Sequence, residues 1–418
     1  MLLPRASMPN LQRLFFVALI LLLVGCQAHN NGSPESIAHK SLPPIEVGAQ
    51  QYSAYLPLLK DKRVSLVVNH SARVPAGDGK SVHLLDALLS RNINIVSIMS
   101  PEHGFRGQAS AGERIQDVID SRTGLPIHSL YGNTKKPTAT MLDNVDVLVF
   151  DIQDVGVRFY TYLSTLHYIL EAAAEQGVSV VVLDRPNPNG QFTDGPILNP
   201  SFQSFVGMHP IPVLHGMTLG ELALMIKGEQ WVDHADSLLL HVVPVAHYDK
   251  TMPYSLPTPP SPNLPNDSAI ALYPTLCFFE GTSVSIGRGT DLPFQLIGHP
   301  SVALGDKRVT VTPNTGASTP KYNGDTLYAS LLSPERVSGL NLPLLLNTYQ
   351  TVTGANEVFF TRPQFFDKLA GTDALRLAII DGDTASAIKE TWREPLDIFK
   401  AKRAPYLLYP TKEYNDAT

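Results

Sequence analysis

The sequence predicts the α/β fold class: a parallel sheet covered by helices on both faces, followed by a smaller α+β region. Three observations support this. Short apolar runs rich in β-branched residues recur at 64–68, 93–99, 145–150 and 178–183. Stretches able to form helices lie between them, at 82–91 and 163–176. From Lys250 onward the texture changes, with six prolines from Pro253 to Pro265. A strand exposed on one face alternates apolar and polar residues, whereas a continuous apolar run suits a strand covered on both faces. Such runs alternating with helices build a doubly wound, Rossmann-like domain, here over residues 51–250. Residues 251–418 then form a smaller α+β domain.

Along the chain, the helix over 163–176 places Leu166, Ile169, Leu170 and Ala173 at helical spacing. Residues 217–228 form another helix, with Thr218 as N-cap and Glu221 at the capping-box position. A further strand is expected at 238–245. The proline cluster reads either as an interdomain crossing or as a rigid binding loop. After it come a Gly-bearing loop (280–290), a strand (308–312) and helices at 325–332 and 363–369. An apolar stretch at 375–380 and an amphipathic helix over 385–402 follow.

Composition limits the function. Of 418 residues, 44% are hydrophobic and 17% charged, enough to bury large cores and to exclude global disorder. A net charge of −6 argues against the basic balance of a nucleic-acid-binding domain. Two cysteines cannot make a disulfide-rich scaffold.

The amino terminus reads as a targeting signal. Arg5 and Arg13 precede the apolar run 14–24, which is short of the roughly 20 residues of a membrane span. It ends in Leu23-Val24-Gly25-Cys26, the pattern of a bacterial lipobox. Cys26 is therefore expected to carry lipid after the preceding 25 residues are removed. That loss would leave 393 residues and take the net charge from −6 to −8, since the removed part holds two Arg and no acid. Residues 30–50 read as a tether, and the expected location is the periplasmic side of an outer membrane.

In an open parallel sheet, ligands bind beyond the carboxyl ends of the strands. The four runs lead into Asn69-His70, Ser100-Pro101-Glu102-His103, Asp151-Ile152-Gln153-Asp154 and Asp184-Arg185-Pro186-Asn187. Caps and turns call for Ser, Thr, Asn or Asp rather than Glu, His and Arg. Four such ends on one rim therefore read as a site. There is no metal-ligand spacing, no Gly-x-Gly-x-x-Gly, no P-loop and no Gly-x-Ser-x-Gly. No metal, nucleotide or other cofactor is expected. The remaining carboxylates, histidines, arginines, amides and aromatics suit polyhydroxyl ligands and general acid–base chemistry.

Ser100-Pro101-Glu102-His103-Gly104-Phe105-Arg106-Gly107 resembles the main signature of the bacterial exo-β-N-acetylmuramidase family. Further segments match in order: Ser129-Leu130-Tyr131-Gly132, the run from Asp151 to Tyr162, Asp184-Arg185-Pro186-Asn187-Pro188 and His215-Gly216-Met217-Thr218. Pro260-Ser261-Pro262-Asn263-Leu264-Pro265, Glu280-Gly281-Thr282-Ser283 and Gly287-Arg288-Gly289-Thr290 continue the series. The likeness spans nearly all of the chain after Cys26 and departs from the family pattern at Ser283 and Ile286. It implies a Rossmann-like domain joined to a smaller one, with the active-site cleft between them. It also implies a hydrolase that removes terminal N-acetylmuramic acid from the non-reducing end of peptidoglycan fragments.

Glycoside hydrolysis commonly uses two carboxyl groups. Glu102 is the first candidate, as general acid, with His103 to orient it or to bind substrate. Asp151, Asp154, Asp184 and Glu280 all qualify as the second, Asp151 and Glu280 being carried forward as catalytic. Muramic acid bears a lactyl carboxylate, which calls for a cation, preferably the fork of an arginine. Arg158, Arg185 and Arg288 are the candidates. Tyr160 and Tyr131 could stack on a sugar face. Asn69, His70, Asp154, Asp184, Asn187, His215 and Asn263 complete the expected substrate-binding set. Two rival readings remain: a non-catalytic peptidoglycan-binding lipoprotein, and an amidase or esterase acting on wall fragments.

Overall fold

The segment 64–68, Val-Ser-Leu-Val-Val, is buried at every position and forms the centre of the main sheet. A computed structural model describes residues 43–102, 104–105, 118–334 and 339–410, which belong to one compact unit. Helix α1 (Tyr52–Leu59) leads into β1 (Val64–Val68), a hairpin of β2 (Arg73–Gly77) and β3 (Lys80–His83), and helix α2 (Leu84–Leu89). Then come β4 (Ile95–Ser100), β5 (Val118–Ile119), β6 (Pro126–Ser129), α3 (Ala139–Leu142), β7 (Val147–Asp151), α4 (Tyr162–Gln176), β8 (Ser179–Leu183), α5 (Leu219–Gly228) and β9 (Leu240–Val243). Among the described residues the sheet order is β5-β6-β4-β1-β7-β8-β9. All neighbours pair in parallel except β5, an antiparallel edge. Leaving out β5, the order is the doubly wound 3-2-1-4-5-6.

The two-residue period of the strands divides the core. Leu66, Val68, Val149 and Val181 pack on one face with Leu59, Leu84, Leu85 and Leu88 of α1 and α2. Val67, Leu148, Phe150, Val180 and Val182 pack on the other with α4 and α5. Thr218 and Glu221 form the expected capping box of α5.

The smaller domain begins with α6 (Asp267–Leu276). It has a three-stranded antiparallel sheet of β10 (Leu296–His299), β11 (Lys307–Thr310) and β12 (Thr326–Leu331). Five helices end it: α7 (Leu342–Gly354), α8 (Pro363–Ala370), α9 (Ala374–Asp381), α10 (Ala385–Glu390) and α11 (Arg393–Arg403). Its apolar residues join the α4–α5 core in one cluster that includes Phe278, Phe294, Leu345, Phe366 and Phe399.

Some expectations need correction. Residues 326–331 are a strand, not a helix; Leu327 and Ala329 are buried while Thr326, Tyr328 and Ser330 are more open, a period of two. The expected helix over 82–91 starts later because Lys80–His83 pairs with Arg73–Gly77, and the His83 ring accepts from the Leu85 amide as a cap. The 385–402 helix breaks at Thr391–Trp392, where Trp392 turns into the core. Helices α6 and α7 were not anticipated.

Buried ions tie the long loops and the two domains together. Arg158 is fully buried and donates to the carbonyls of Pro196, Ile211 and Leu369 at 2.7–2.9 Å. Glu221 and Lys250 form an ion pair of 2.6 Å with no side-chain exposure. Glu221 also accepts from the Thr218 amide at 2.9 Å and, from the chain's last turn, the Leu408 amide at 2.8 Å. Removing one partner of a buried pair strands the other charge. Glu221→Ala is therefore expected to lower the unfolding free energy by about 3–5 kcal/mol, read from urea denaturation; a loss below about 1 kcal/mol would contradict this role.

Candidate active site

The crevice where the winding of the sheet reverses lies beyond β1 and β7. It is filled by the protein itself. Asp151, at the end of β7, receives Arg185 Nε on Oδ1 at 2.5 Å and Nη2 on Oδ2 at 3.0 Å. Their side chains are 0% and 4% exposed. Arg185 also donates to the Arg73 carbonyl at 3.3 Å. This corrects the expected roles of both: a sealed carboxylate cannot attack a sugar, and a guanidinium already held bidentately offers no fork to a ligand.

Other rim residues are committed to the loops. Asp184 is fully buried and accepts from the Arg185 and Gly220 amides, Thr218 Oγ1 and Tyr409 Oη at 2.5–3.0 Å. It sits at the positive N-terminus of α5. A Cβ at Gly220 would lie 2.5 Å from the Asp184 carboxyl carbon, so glycine permits the approach. Asn187 donates to the Met217 carbonyl and accepts from the Asn189 amide. It fills the space beside Gly156, whose φ of +77° and Cβ position both demand glycine. Asp154 Oδ2 accepts from the Gly156 amide at 2.7 Å. His215 accepts from the Met217 amide, and burial drives its imidazole down to about 3, so the ring is neutral. Arg158 is fully buried, bound to the three carbonyls described above. The expected substrate contacts of Asp154, Arg158, Asp184, Asn187 and His215 are thus replaced by contacts within the protein. Asn69 is buried too; its amide donates to Tyr162 Oη at 2.8 Å and orients that ring. His70 reaches the Pro259 carbonyl at 2.8 Å and joins the rim to the proline segment.

A recess opens beside this filled crevice, toward the smaller domain. It is lined by Glu102, the run from Phe159 to Tyr162, Ser261, Asn263, Leu264, Tyr273, Arg288 and Phe294. It encloses about 70 Å³. Among the lining residues described, Glu102 is the one carboxylate. It follows β4, is partly exposed, and accepts from Thr161 Oγ1 at 3.3 Å, with the Tyr131 hydroxyl close enough to feel its charge. Tyr160 and Tyr162 cross edge-to-face at 4.9 Å, and Tyr160 Oη donates to the Pro260 carbonyl at 3.0 Å. Tyr273 packs edge-on to Tyr160 at 5.8 Å and to Phe294 at 5.0 Å. Asn263 donates to the Gly316 carbonyl at 2.6 Å. Arg288 is held by Glu280, Nε to Oε1 at 2.6 Å, with its guanidinium 5.0 Å over the Phe294 ring. Glu280 is thus placed as the partner of Arg288.

His103 lies outside the described residues, as do Arg106 and Cys26. Sequence reasoning missed Thr161, Tyr162, Ser261, Tyr273 and Phe294 as lining residues. Thr161, Tyr162 and Ser261 stood inside recognised motifs. Nothing marked Tyr273, because its helix was not anticipated. Among the described residues, no three His, Cys, Asp or Glu side chains converge to hold a metal. A second recess, lined by Leu58, Lys62, Val147, Ser179, Lys227 and Leu240 among others, lies at the opposite ends of β7, β8 and β9.

Burial raises the Asp154 carboxyl to about 7, against the pull of the Gly156 and Val155 amides. The folded chain therefore keeps a proton that the unfolded chain releases near pH 4, and stability falls as pH rises from about 4 to 7. Asp154→Asn removes this loss. Its stability relative to the parent should rise across that window, by at most about 1.4 kcal/mol per pH unit. Urea melts at pH 4.5 and 7.5 test it; a difference independent of pH would refute it.

Comparison with known proteins agrees with this architecture. Residues 64–268 match the family model for the N-terminal part of exo-beta-N-acetylmuramidase NamZ, and residues 271–409 match the C-terminal part. The peptidoglycan beta-N-acetylmuramidase NamZ of Bacillus subtilis (strain 168) is 38% identical over 412 residues, 93% of this chain and 97% of that protein. Two DUF1343 family proteins of Bacteroides fragilis NCTC 9343 have similar crystal structures. One is 43% identical with a TM-score of 0.78; the other is 28% identical with a TM-score of 0.75. Each match covers 88% of this chain and 100% of that one. The chain belongs to the exo-beta-N-acetylmuramidase NamZ family.

Proposed function

We propose that this protein is an exo-acting glycoside hydrolase that releases terminal N-acetylmuramic acid from the non-reducing end of peptidoglycan fragments, with Glu102 donating the proton to the leaving oxygen. The observation that carries the role is the position of Glu102: a partly exposed carboxyl in an aromatic recess, after the strand that precedes the family's main signature. Thr161 hydrogen-bonds its carboxyl group and holds its direction. Tyr160, Tyr162 and Tyr273 are buried against one another and form the recess's rigid aromatic wall. The recess is shared between the two domains, so a glycan end would enter from the cleft.

A muramic acid glycoside with a chromogenic leaving group tests the activity directly. The parent protein should turn it over in preference to the N-acetylglucosamine analogue. Glu102→Gln should lose roughly 10²–10⁴-fold in kcat, the usual worth of a general acid, with its melting temperature unchanged. Full activity in that variant would remove Glu102 from the mechanism.

We further propose that Cys26 carries lipid and tethers the enzyme to the periplasmic side of an outer membrane. The support is the apolar run 14–24 ending in Leu23-Val24-Gly25-Cys26. Cells fed a labelled fatty acid should label the parent protein and not Cys26→Ser; equal labelling would reject the anchor.

A further inference from the structure

Arginines 158, 185 and 288 have sharply different environments. Arg158 spends its guanidinium on three backbone carbonyls in the interior, and Arg185 is clamped on Asp151. Arg288 lines the recess that contains Glu102. Only its Nε is engaged, by Glu280 at 2.6 Å; Nη1 and Nη2 make no hydrogen bond to any described residue. Its side chain remains 28% exposed. Two contacts hold the group still: the Glu280 carboxylate on the Nε edge and the Phe294 ring against its face. A guanidinium fixed along one edge and one face presents a rigid pair of donors, the geometry that binds a carboxylate bidentately.

A second cation stands near Arg288. Glu280 offsets one cation, but Lys321 stands within electrostatic reach of both Glu280 and Arg288. Its ammonium is caged by the Thr282 and Val284 carbonyls at 2.6 and 3.0 Å. These bonds also pin the 280–284 loop that carries Glu280. Arg288 and Lys321 are thus two cations beside Glu280, and Glu102 is the recess's other carboxyl group.

We propose that the two Nη groups of Arg288 form the receptor for the lactyl carboxylate of the terminal muramic acid, and that Glu280 and Lys321 position it. Arg288 is then the specificity residue that distinguishes muramic acid from glucosamine. This inference rests on the glycosidase reading above. It implies a charge requirement as well as a shape requirement: neutralising the lactyl group should cost affinity without touching the protein.

The test uses 4-nitrophenyl glycosides of N-acetylmuramic acid, of its lactyl amide and of N-acetylglucosamine. The parent protein should favour the acid over both neutral substrates. Arg288→Met should lower kcat/KM for the acid about 100-fold, mainly through KM, and change the neutral substrates by less than about threefold. Arg288→Lys, which keeps the charge and loses the fork, should fall between. Parent protein indifferent to amidation, or an Arg288→Met variant that keeps its preference for the acid, overturns the receptor while the glycosidase reading stands. Equal loss on all three substrates, in both Arg288 variants, likewise overturns it. Parent protein that hydrolyses none of them overturns both readings.

Discussion

The Asp151–Arg185 ion pair decides where a ligand can bind. In a doubly wound sheet the natural crevice lies where the strand order reverses. Here that crevice holds a carboxylate and a guanidinium in bidentate contact, almost wholly shielded from water. Burying two ions is tolerated because each satisfies the other and Arg185 gains a third acceptor at the Arg73 carbonyl. With the crevice filled, the recess moves beside it, to the end of β4 and the face of the smaller domain. Glu102, the aromatic cluster and Arg288 meet there. A fold often associated with dinucleotides thereby offers a recess to one side of its usual crevice.

The same physical device recurs throughout the molecule. Long loops rich in proline leave many carbonyls without a strand or helix to satisfy them, and buried carbonyls need donors. Arg158 serves three of them, Lys321 two at close range, and Lys250 and Arg403 the carbonyls of Gly216 and His215. These cations, all but Lys321 buried, act as staples across the loops. They draw the 190–216 loops, the 279–284 loop and the C-terminal turn onto the sheet, and so fix both walls of the recess. Glu221 joins this system as cap of α5, partner of Lys250 and acceptor for the Leu408 amide.

Much of this was legible in the residues. The continuous apolar runs located four of the parallel strands to within about two residues, because strands buried on both faces leave a strong signal. The α5 cap was readable because its chemistry is local. The strand at 326–331 was misread because six residues of mixed polarity fit either period until their partners are known. Site residues divided along a similar line. Motif and strand-end position pointed to Glu102, Tyr160, Asn263 and Arg288, and all four line the recess. The same logic drew in Asp151, Asp154, Arg158, Asp184, Arg185, Asn187 and His215, which the fold turns inward. An ionisable residue after a strand looks alike whether it faces a ligand or a carbonyl; only the three-dimensional inventory of partners separates the two. Tyr273 was invisible because it reaches the recess from a helix in the other domain.

If Glu102 is the acid, the recess around it, rather than any other surface, receives the terminal sugar. A crystal structure of the protein with bound N-acetylmuramic acid tests it most directly. The expected result is a sugar at the mouth of that recess, with its C1 oxygen within hydrogen-bond reach of the Glu102 carboxyl group. A sugar seated elsewhere, such as the groove of Leu58, Lys227 and Leu240 at the far end of the sheet, with the Glu102 recess empty, would contradict it.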